Sequence, residues 1–434
     1  MRSRLLWRRS ATALGYYGSV LLGVLGTVVA ARLLHKDAFG RFALILAAAS
    51  FFQVLLDLTV EEAVVKFGFR YEAREQWGRL RTLLRSALAF KLVGAVLGAV
   101  CLAVLAVFAD SVFKPHGLAT PLLVAALLPL AAAPESLGAT VLVLRGRYDL
   151  RAAFLVLSMA LRLGALAIAA SHGVTWAIAS VVIAQAFSTT AAGMAGLAAL
   201  RRFPPAAREP LGDDRRAVVN FAVQSSVATG VISFRPTVGP LLLGVVSNSA
   251  QVGFFKIAQA PQLGLAAASA PARIILLAEQ TRDWEVGARE RVLAGVRRYM
   301  LGAAALMALV VPLAWWLMPQ LVRIAFGPGY SGAVHAARIV LLAAALWFVL
   351  GWTKSFPVSI GRPKLRIVAH GVETLVLVPL VIVLGARSGA TGAAYATLVS
   401  TIVFAAIWVA MFVRISASES SRDDPSPAVR ATAP

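Results

Sequence analysis

The sequence predicts an all-α polytopic membrane protein with about twelve transmembrane helices, arranged as two six-helix bundles related by a parallel internal repeat. Three observations indicate this fold class. The composition is too apolar for a water-soluble domain, with 59% hydrophobic and 14% charged residues and a mean hydropathy of +0.79. The apolar residues form twelve long runs, and short loop motifs recur at a nearly constant spacing.

Each apolar run has about 20 residues or more, the length that a helix needs to cross about 30 Å of hydrocarbon. A helix satisfies its own backbone hydrogen bonds in lipid, and the alternating strands typical of a porin-like barrel are not visible. We number the runs as spans 1 to 12 in chain order. They cover approximately residues 12–34, 42–60, 86–109, 119–144, 152–170 and 174–200, and then 218–245, 252–278, 299–324, 334–358, 367–386 and 389–413.

Matching loops indicate the internal repeat. Three pairs correspond in the same order: FGRF at 39–42 with VGFF at 252–255, GRYDLR at 146–151 with GRPKLR at 361–366, and SHGVTWAIAS at 171–180 with RSGATGAAYA at 387–396. The offsets are 213, 215 and 216 residues, and because six is even the two copies have the same orientation. For G-R-x-x-L-R itself, we favour a tight turn with arginines among anionic headgroups over direct contact with a substrate.

A polar connector separates the two copies. The segment RRFPPAAREPLGDDRR at 201–216 is rich in proline and in charges of both signs. The predicted domains are therefore an N-terminal six-helix bundle over 1–208, a C-terminal six-helix bundle over 209–413, and a disordered cytoplasmic tail over 414–434.

The distribution of charge predicts the orientation. The chain has 42 Lys plus Arg, 20 Asp plus Glu and a net charge of +22. If the N-terminus is cytoplasmic, 29 of the 42 basic residues lie in cytoplasmic segments and six lie at the other side. Both termini are therefore predicted to be cytoplasmic, and the basic charge needs no nucleic-acid partner.

The sequence predicts neither a metal nor a cofactor. The five histidines show no metal-ligand spacing, Cys101 is the single cysteine, and the G-x-x-x-x-G-K-[ST] phosphate loop is absent.

Span 5 carries a deep arginine. An ionisable group at the centre of a span costs about 2.5 to 3.5 kcal/mol on insertion scales, so each one needs an explanation. Several are expected to extend to the nearer membrane surface: Lys91, Lys354 and Arg273 to the cytoplasmic one, and Arg32, Lys256 and Arg338 to the outer one. Arg162 lies about ten residues, or ~15 Å, into its span, and it forms one polar stripe with Arg151 and Ser158.

Span 7 repeats this pattern. Asn220, Gln224 and Arg235 share one face of a 3.6-residue helix. Pro236 and Pro240 predict a bend beside Arg235. Spans 5 and 7 are each expected to face water or an anion, which makes their polar residues candidates for a substrate cavity.

Three carboxylates also lie within or at the ends of spans. They are Asp57, Glu135 and Glu373. Each is either a salt-bridge partner of an intramembrane Arg or Lys or a group that couples transport to an ion, and the sequence leaves both interpretations open.

The segment AARLLHKDAFGRFALILAAASFFQVLLDLTVEEAVVKF at 30–67 resembles the first helices of the polysaccharide-biosynthesis flippases, exporters of O-antigen and other lipid-linked oligosaccharides within the multidrug/oligosaccharidyl-lipid/polysaccharide superfamily. Members of that flippase family carry the motif A-R-x-L-G-x-x-x-F-G-x-[YF], followed by L-x-D-x-G-[LF]. The matching residues are Ala31, Arg32, Leu34, Phe39, Gly40, Phe42 and Asp57. His35 and Thr59 replace two family glycines, and the related segment 235–259 lacks the usual acidic residue, so a coupling role at that position is not expected.

The resemblance implies a non-enzymatic protein that moves an undecaprenyl-pyrophosphate-linked glycan across the bacterial inner membrane by alternating access. The implied partners are the lipid-linked oligosaccharide and membrane lipids, with glycan polymerase machinery as a further candidate. Arginine binds pyrophosphate bidentately. We therefore predict that Arg162 and Arg235 line a cleft between the bundles, with Arg32 near its outer mouth.

Three other classes remain open. A glycan ligase or polymerase would also be polytopic, but such enzymes usually need a larger outer loop than any gap here. An ion-coupled multidrug exporter of the same superfamily would be expected to use an acidic cavity for cationic substrates. A membrane scaffold would leave Arg162 unexplained unless Glu135 or Glu373 neutralises it.

Overall fold

The computed structural model describes residues 2–56, 60–269, 276, 279–284, 286–362 and 364–423. Within these ranges the chain is helical apart from short connections, and no described residue lies in a β-strand. The helices run over Arg2–Leu56, Val60–Ala73, Trp77–Val107, Ala109–Val112, Ala119–Ala125, Leu127–Leu144, Tyr148–Ala169, Val174–Leu200, Asp214–Val246, Ser249–Ala258, Ala260–Ala268, Arg289–Phe326, Ala333–Val349, Phe356–Ser359 and Lys364–Asp423. The predicted all-α fold is confirmed.

The described helices trace the twelve predicted passes. Eight of the helices in the described ranges are long and apolar enough to cross a membrane. Two of these eight span 45 and 54 residues and are broken at His35 (φ 57°) and Gly389 (φ 56°), so each makes two passes. Spans 7 and 8 complete the set with Asp214–Val246 and the two helices from Ser249 to Ala268. The predicted ends of spans 2 and 8 fall partly outside the described residues.

The two G-R-x-x-L-R motifs form the same turn. Gly146 and Gly361 have φ angles of 64° and 71°. The amide of the following arginine donates to a carbonyl five residues earlier at 2.8 Å in both copies, from Arg147 to Leu142 and from Arg362 to Pro357. This left-handed helix end favours glycine, so the motif marks a turn in each half.

A second pair of turns has no shared sequence motif. Glu75 and Gly287 lie 212 residues apart and have φ angles of 55° and 76°. The next residue again donates to a carbonyl five positions earlier, at 2.9 Å from Gln76 and at 2.8 Å from Ala288. The repeat therefore extends to the connection between the second and third spans of each half.

The Gly361 turn gives a stability prediction. A Cβ at Gly361 would meet no heavy atom within 4 Å, so Gly361→Ala is expected to cost only the left-handed backbone strain, about 1 kcal/mol. Thermal unfolding in detergent should show a lower midpoint. Gly164→Ala is the matched control, because Gly164 also has open space but lies within a helix, where alanine is favoured. Equal midpoints for the two variants would contradict the assignment of strain.

Span 7 packs against both halves of the molecule. Its start lies in the buried cluster of the first half, which includes Val218 and the preceding Leu211. Asp214 fixes this start, because its carboxylate accepts from the Tyr71 hydroxyl at 3.1 Å and lies 3.8 Å from Arg70 and from Arg79. The domain division at 208/209 stays a prediction, and the helix of span 12 continues to Asp423.

Candidate functional site

A cavity of about 290 Å³ lies between the two halves. Spans 1, 2, 4, 5 and 6 supply most of its wall, and spans 7 and 8 supply Pro236, Thr237, Pro240 and Lys256. Its two charged lining residues are Arg162 from the first half and Lys256 from the second. We call this space the central cavity.

Arg162 is held by a polar chain across three spans. Its Nη2 donates to the Gln185 side-chain oxygen at 2.5 Å, and the Gln185 amide donates to Glu135 Oε2 and, at 3.0 Å, to Thr189 Oγ1. Thr189 in turn donates to Glu135 at 3.4 Å. The Nε of Arg162 has no hydrogen-bond partner among the described residues. The Nη2 of the guanidinium is therefore fixed by Gln185, while the Nε is buried without a partner.

Lys256 supplies the second positive charge. Its side chain is half-buried, and among the described residues none makes an ion pair or hydrogen bond with its ammonium group. The sequence predicted that this side chain would extend to the outer membrane surface. It instead lines the central cavity, because span 8 turns this face toward the first half.

A larger cavity of about 600 Å³ lies within the first half. Its charged lining residues are Lys91, Glu135 and Arg151, and Gln53 lines both cavities. We call this space the N-half cavity. Since Glu135 lines it while Arg162 lines the central cavity, the chain of polar groups through Gln185 connects the two spaces.

Lys91 also departs from its predicted position. The side chain is 4% exposed, and its Nζ forms an ion pair with Glu61 Oε1. It therefore does not extend to the membrane surface as predicted. The pairing neutralises the deepest cation of span 3.

Breaking the Lys91 pair is expected to destabilise the protein. Lys91→Met leaves the Glu61 carboxylate without this counter-ion, and loss of one partner of a buried pair costs about 3 to 5 kcal/mol. The double variant with Glu61→Gln should recover most of that loss. Thermal unfolding of the two single variants and the double variant measures this coupling, and additive effects would contradict it.

The other residues predicted to line the cleft occupy different places. Ser158 is buried and lies 3.1 Å from the Ser188 hydroxyl. Asn220 and Gln224 are exposed on span 7 and line neither cavity. The Arg235 side chain and Asp57 lie outside the part of the chain that the structure describes.

Glu373 lies in the core of the second half. It is 1% exposed, and its Oε2 lies 3.3 Å from His370 Nδ1. Trp347 stacks on the His370 ring, and Phe404 packs beside both rings. Glu373 therefore lines neither cavity and has no contact with Arg162.

The two halves are closed at the end that carries His35, which we call the His35 end. Gly40 and Gly253, from the matched FGRF and VGFF motifs, pack against each other, and a Cβ on Gly253 would lie 3.3 Å from the Gly40 Cα. A Cβ on Gly40 would lie 1.7 Å from the Ser249 carbonyl oxygen. Equivalent residues of a two-fold repeat meet at its axis, so this contact marks the axis.

Two further contacts hold the two halves together at the His35 end. The Tyr330 hydroxyl donates to the Ala31 carbonyl at 2.7 Å, and burial, followed by the charge of Asp37, raises the pKa of Tyr330. Arg32 donates to the carbonyls of Ile324 and Ala325, the latter at 2.8 Å. Arg32 therefore joins the halves at the closed end and lines neither cavity.

Comparison with known proteins identifies the family. The polysaccharide biosynthesis protein family matches residues 9–271, more than half of the chain. The chain belongs to this family. No curated protein matches the sequence significantly.

Solved structures with low sequence identity share the fold of this family member. An inward-facing multidrug resistance MATE transporter of the MOP superfamily has 15% identity and a TM-score of 0.72, over 92% of this chain and 95% of that one. An outward-facing MATE transporter has 13% identity and a TM-score of 0.63, over 96% and 95%. The lipid II flippase MurJ in an inward closed conformation has 12% identity and a TM-score of 0.70, over 94% and 90%. The chain thus shares the twelve-helix membrane fold of these structures.

Sequence reasoning missed the two residues that complete the polar site of this family member. Gln185 lies in the middle of span 6, where a single neutral amide gives no charge signal. Lys256 lies three residues after Gly253 of the VGFF motif, so its position beside the repeat axis was the available signal. Neither side chain could be placed in the cavity without knowing how spans 6 and 8 are rotated.

Proposed function

We propose that this protein translocates an undecaprenyl-pyrophosphate-linked glycan across a bacterial inner membrane by alternating access of a cationic central cavity. The observation that carries the proposal is that Arg162 and Lys256, from opposite halves, line one cavity between them. Membership of the polysaccharide biosynthesis protein family supports a glycan substrate.

The charge of the two cavities supports an anionic headgroup. They are lined by Arg162, Lys256 and Arg151, and by Lys91 in its ion pair with Glu61, whereas Glu135 is the single described carboxylate in their walls. In a low-dielectric site two cations from opposite walls attract a pyrophosphate strongly, and the planar guanidinium can bind it through paired hydrogen bonds. An exporter of cationic drugs would need the opposite sign of charge.

The closed His35 end supports an alternating-access cycle. Lys and Arg concentrate at the opposite end, which the positive-inside rule assigns to the cytoplasm together with both termini. The His35 end is then the outer end, and this conformation is closed to the outside. The higher TM-score with the inward-facing than with the outward-facing MATE structure supports that assignment.

The proposed reaction moves the substrate and breaks no covalent bond, so the protein is not an enzyme in this account. Its partners are the lipid-linked oligosaccharide and membrane lipids, with a glycan polymerase as the acceptor machinery. A ligase or polymerase would require a reactive group at the cavity. A scaffold without transport is less consistent with this cavity than a transporter is, because Lys256 faces the cavity and has no partner among the described residues.

Loss of the gene tests the proposal in cells. Lipid-linked glycan is expected to accumulate on the cytoplasmic leaflet of the inner membrane, measured by its inaccessibility to an enzyme added to the periplasmic side of intact spheroplasts. An unchanged distribution between the leaflets would count against the proposal.

A further inference from the structure

Glu135 lies at the junction of the two cavities and is tied indirectly to the cation proposed to bind substrate. Its carboxylate lines the N-half cavity, and Gln185 connects it to Arg162 in the central cavity. No direct ion pair joins Glu135 to Arg162 within the described part of the chain. The Gln185 amide lies between the two opposite charges, so they are near each other without direct contact.

We propose that Glu135 is an internal counter-anion that competes with the substrate's phosphate groups for Arg162, so that its negative charge limits how tightly the central cavity holds an anion. The inference rests on the proposed function. The Glu135 carboxylate stabilises Arg162 while the central cavity is empty. A phosphate anion that reaches Arg162 is repelled by the same carboxylate, which lowers its affinity.

Gln185 is the positioning residue of this arrangement. It is 4% exposed, so its amide has little freedom to exchange partners with water. Its oxygen accepts from Arg162 and its nitrogen donates to Glu135, which fixes the orientation of the amide. Gln185 therefore separates the Glu135 carboxylate from the Arg162 guanidinium, and the two do not form a direct bidentate pair.

Both charged and neutral polar groups surround Glu135. The groups that face it or share its cavity are Tyr16 of span 1, Gln53 of span 2, Lys91 of span 3 with its partner Glu61, Tyr148, Arg151 and Arg162 of span 5, and Gln185 and Thr189 of span 6. Lys91 is already paired with Glu61. Glu135 is therefore the carboxylate whose charge most directly offsets that of Arg162.

Glu135→Gln isolates the effect of this carboxylate's charge. The variant keeps an acceptor oxygen for the Gln185 amide but removes the negative charge. It should therefore bind an anionic headgroup more tightly than the unmodified protein does.

The experiment measures binding of an undecaprenyl-pyrophosphate-linked monosaccharide to the full chain in nanodiscs at neutral pH. Glu135→Gln is expected to bind this anionic probe about tenfold more tightly than the unmodified protein. Glu373→Gln, a buried carboxylate change away from both cavities, is the control and should keep the affinity of the unmodified protein.

A second variant reverses the direction of the effect. Gln185→Glu places a carboxylate directly on Arg162 and should weaken binding by about tenfold. Melting temperatures of all variants show whether each one is folded. If Glu135→Gln reproduces the affinity of the unmodified protein, Glu135 only satisfies an intramembrane charge and the inference is wrong, while the proposed function stands. If the unmodified protein does not bind the probe, both fail together.

Discussion

Arg162→Ala is expected to lower the rate of lipid-linked glycan translocation by at least about 100-fold. The substitution removes the deepest cation of the central cavity, and loss of a charge-assisted bidentate contact to phosphate costs about 3 kcal/mol or more in a desolvated site. Arg162→Lys should retain part of the rate, since a lysine keeps the charge but not the planar fork. The rate is measured as flipping of a fluorescent undecaprenyl-pyrophosphate glycan in proteoliposomes.

An arginine elsewhere in the membrane provides the control for this prediction. Arg338 donates to the Trp315 carbonyl at 3.0 Å, stacks over the Trp315 ring and lines neither cavity. Arg338→Ala is expected to keep most of the flipping rate, with its effect limited to stability. If a folded Arg162→Ala protein flipped the lipid at the wild-type rate, Arg162 would have no role in the translocation pathway.

Gly40→Val is expected to prevent closure of the His35 end and to stop transport. Any side chain at residue 40 would place its Cβ 1.7 Å from the Ser249 carbonyl oxygen and 2.4 Å from the carbonyl carbon. These atoms belong to the backbone of the other half, so rotation of a side chain cannot relieve the overlap. The halves must separate at this end, whereas the fold of each half is preserved.

Spin labels on the two halves measure that separation. Lys114 and Arg387 are exposed at the His35 end, one in each half. In a Cys101→Ser background, labels at these positions should give a longer distance in the Gly40→Val protein, together with a flipping rate reduced by at least about 100-fold. Gly164→Val is the control, because a Cβ there meets no heavy atom within 4 Å. An unchanged distance distribution would show that the Gly40 contact does not hold the end closed.

The spans and their turns could be predicted from the sequence because they depend on local properties. Hydrophobic length determines where a helix crosses lipid, and a left-handed helix end favours glycine at residues 146 and 361. The resemblance around residues 30–67 also indicated the family that the comparison later showed. What the matched FGRF and VGFF motifs did not reveal is that Gly40 and Gly253 contact each other, which requires the position of the repeat axis.

The cavity could be predicted only in part because its lining depends on helix rotation and on pairing between distant residues. The depth of Arg162 follows from the number of residues between it and the start of span 5, which is a local property of the sequence. By contrast, Lys91 was predicted to extend to the surface because the sequence does not show that Glu61, on a neighbouring helix, lies within ion-pair distance. Lys256 was misplaced for the same reason, since its direction depends on how span 8 packs against the first half.

The most direct test of the cationic-cavity account compares two substrates in one preparation. Proteoliposomes containing the full chain are loaded with either the fluorescent undecaprenyl-pyrophosphate glycan or a cationic dye such as ethidium. The account predicts protein-dependent flipping of the anionic lipid, its loss in the Arg162→Ala protein, and no transport of the dye. Transport of the dye without flipping of the lipid would contradict the account and assign the protein to the drug exporters.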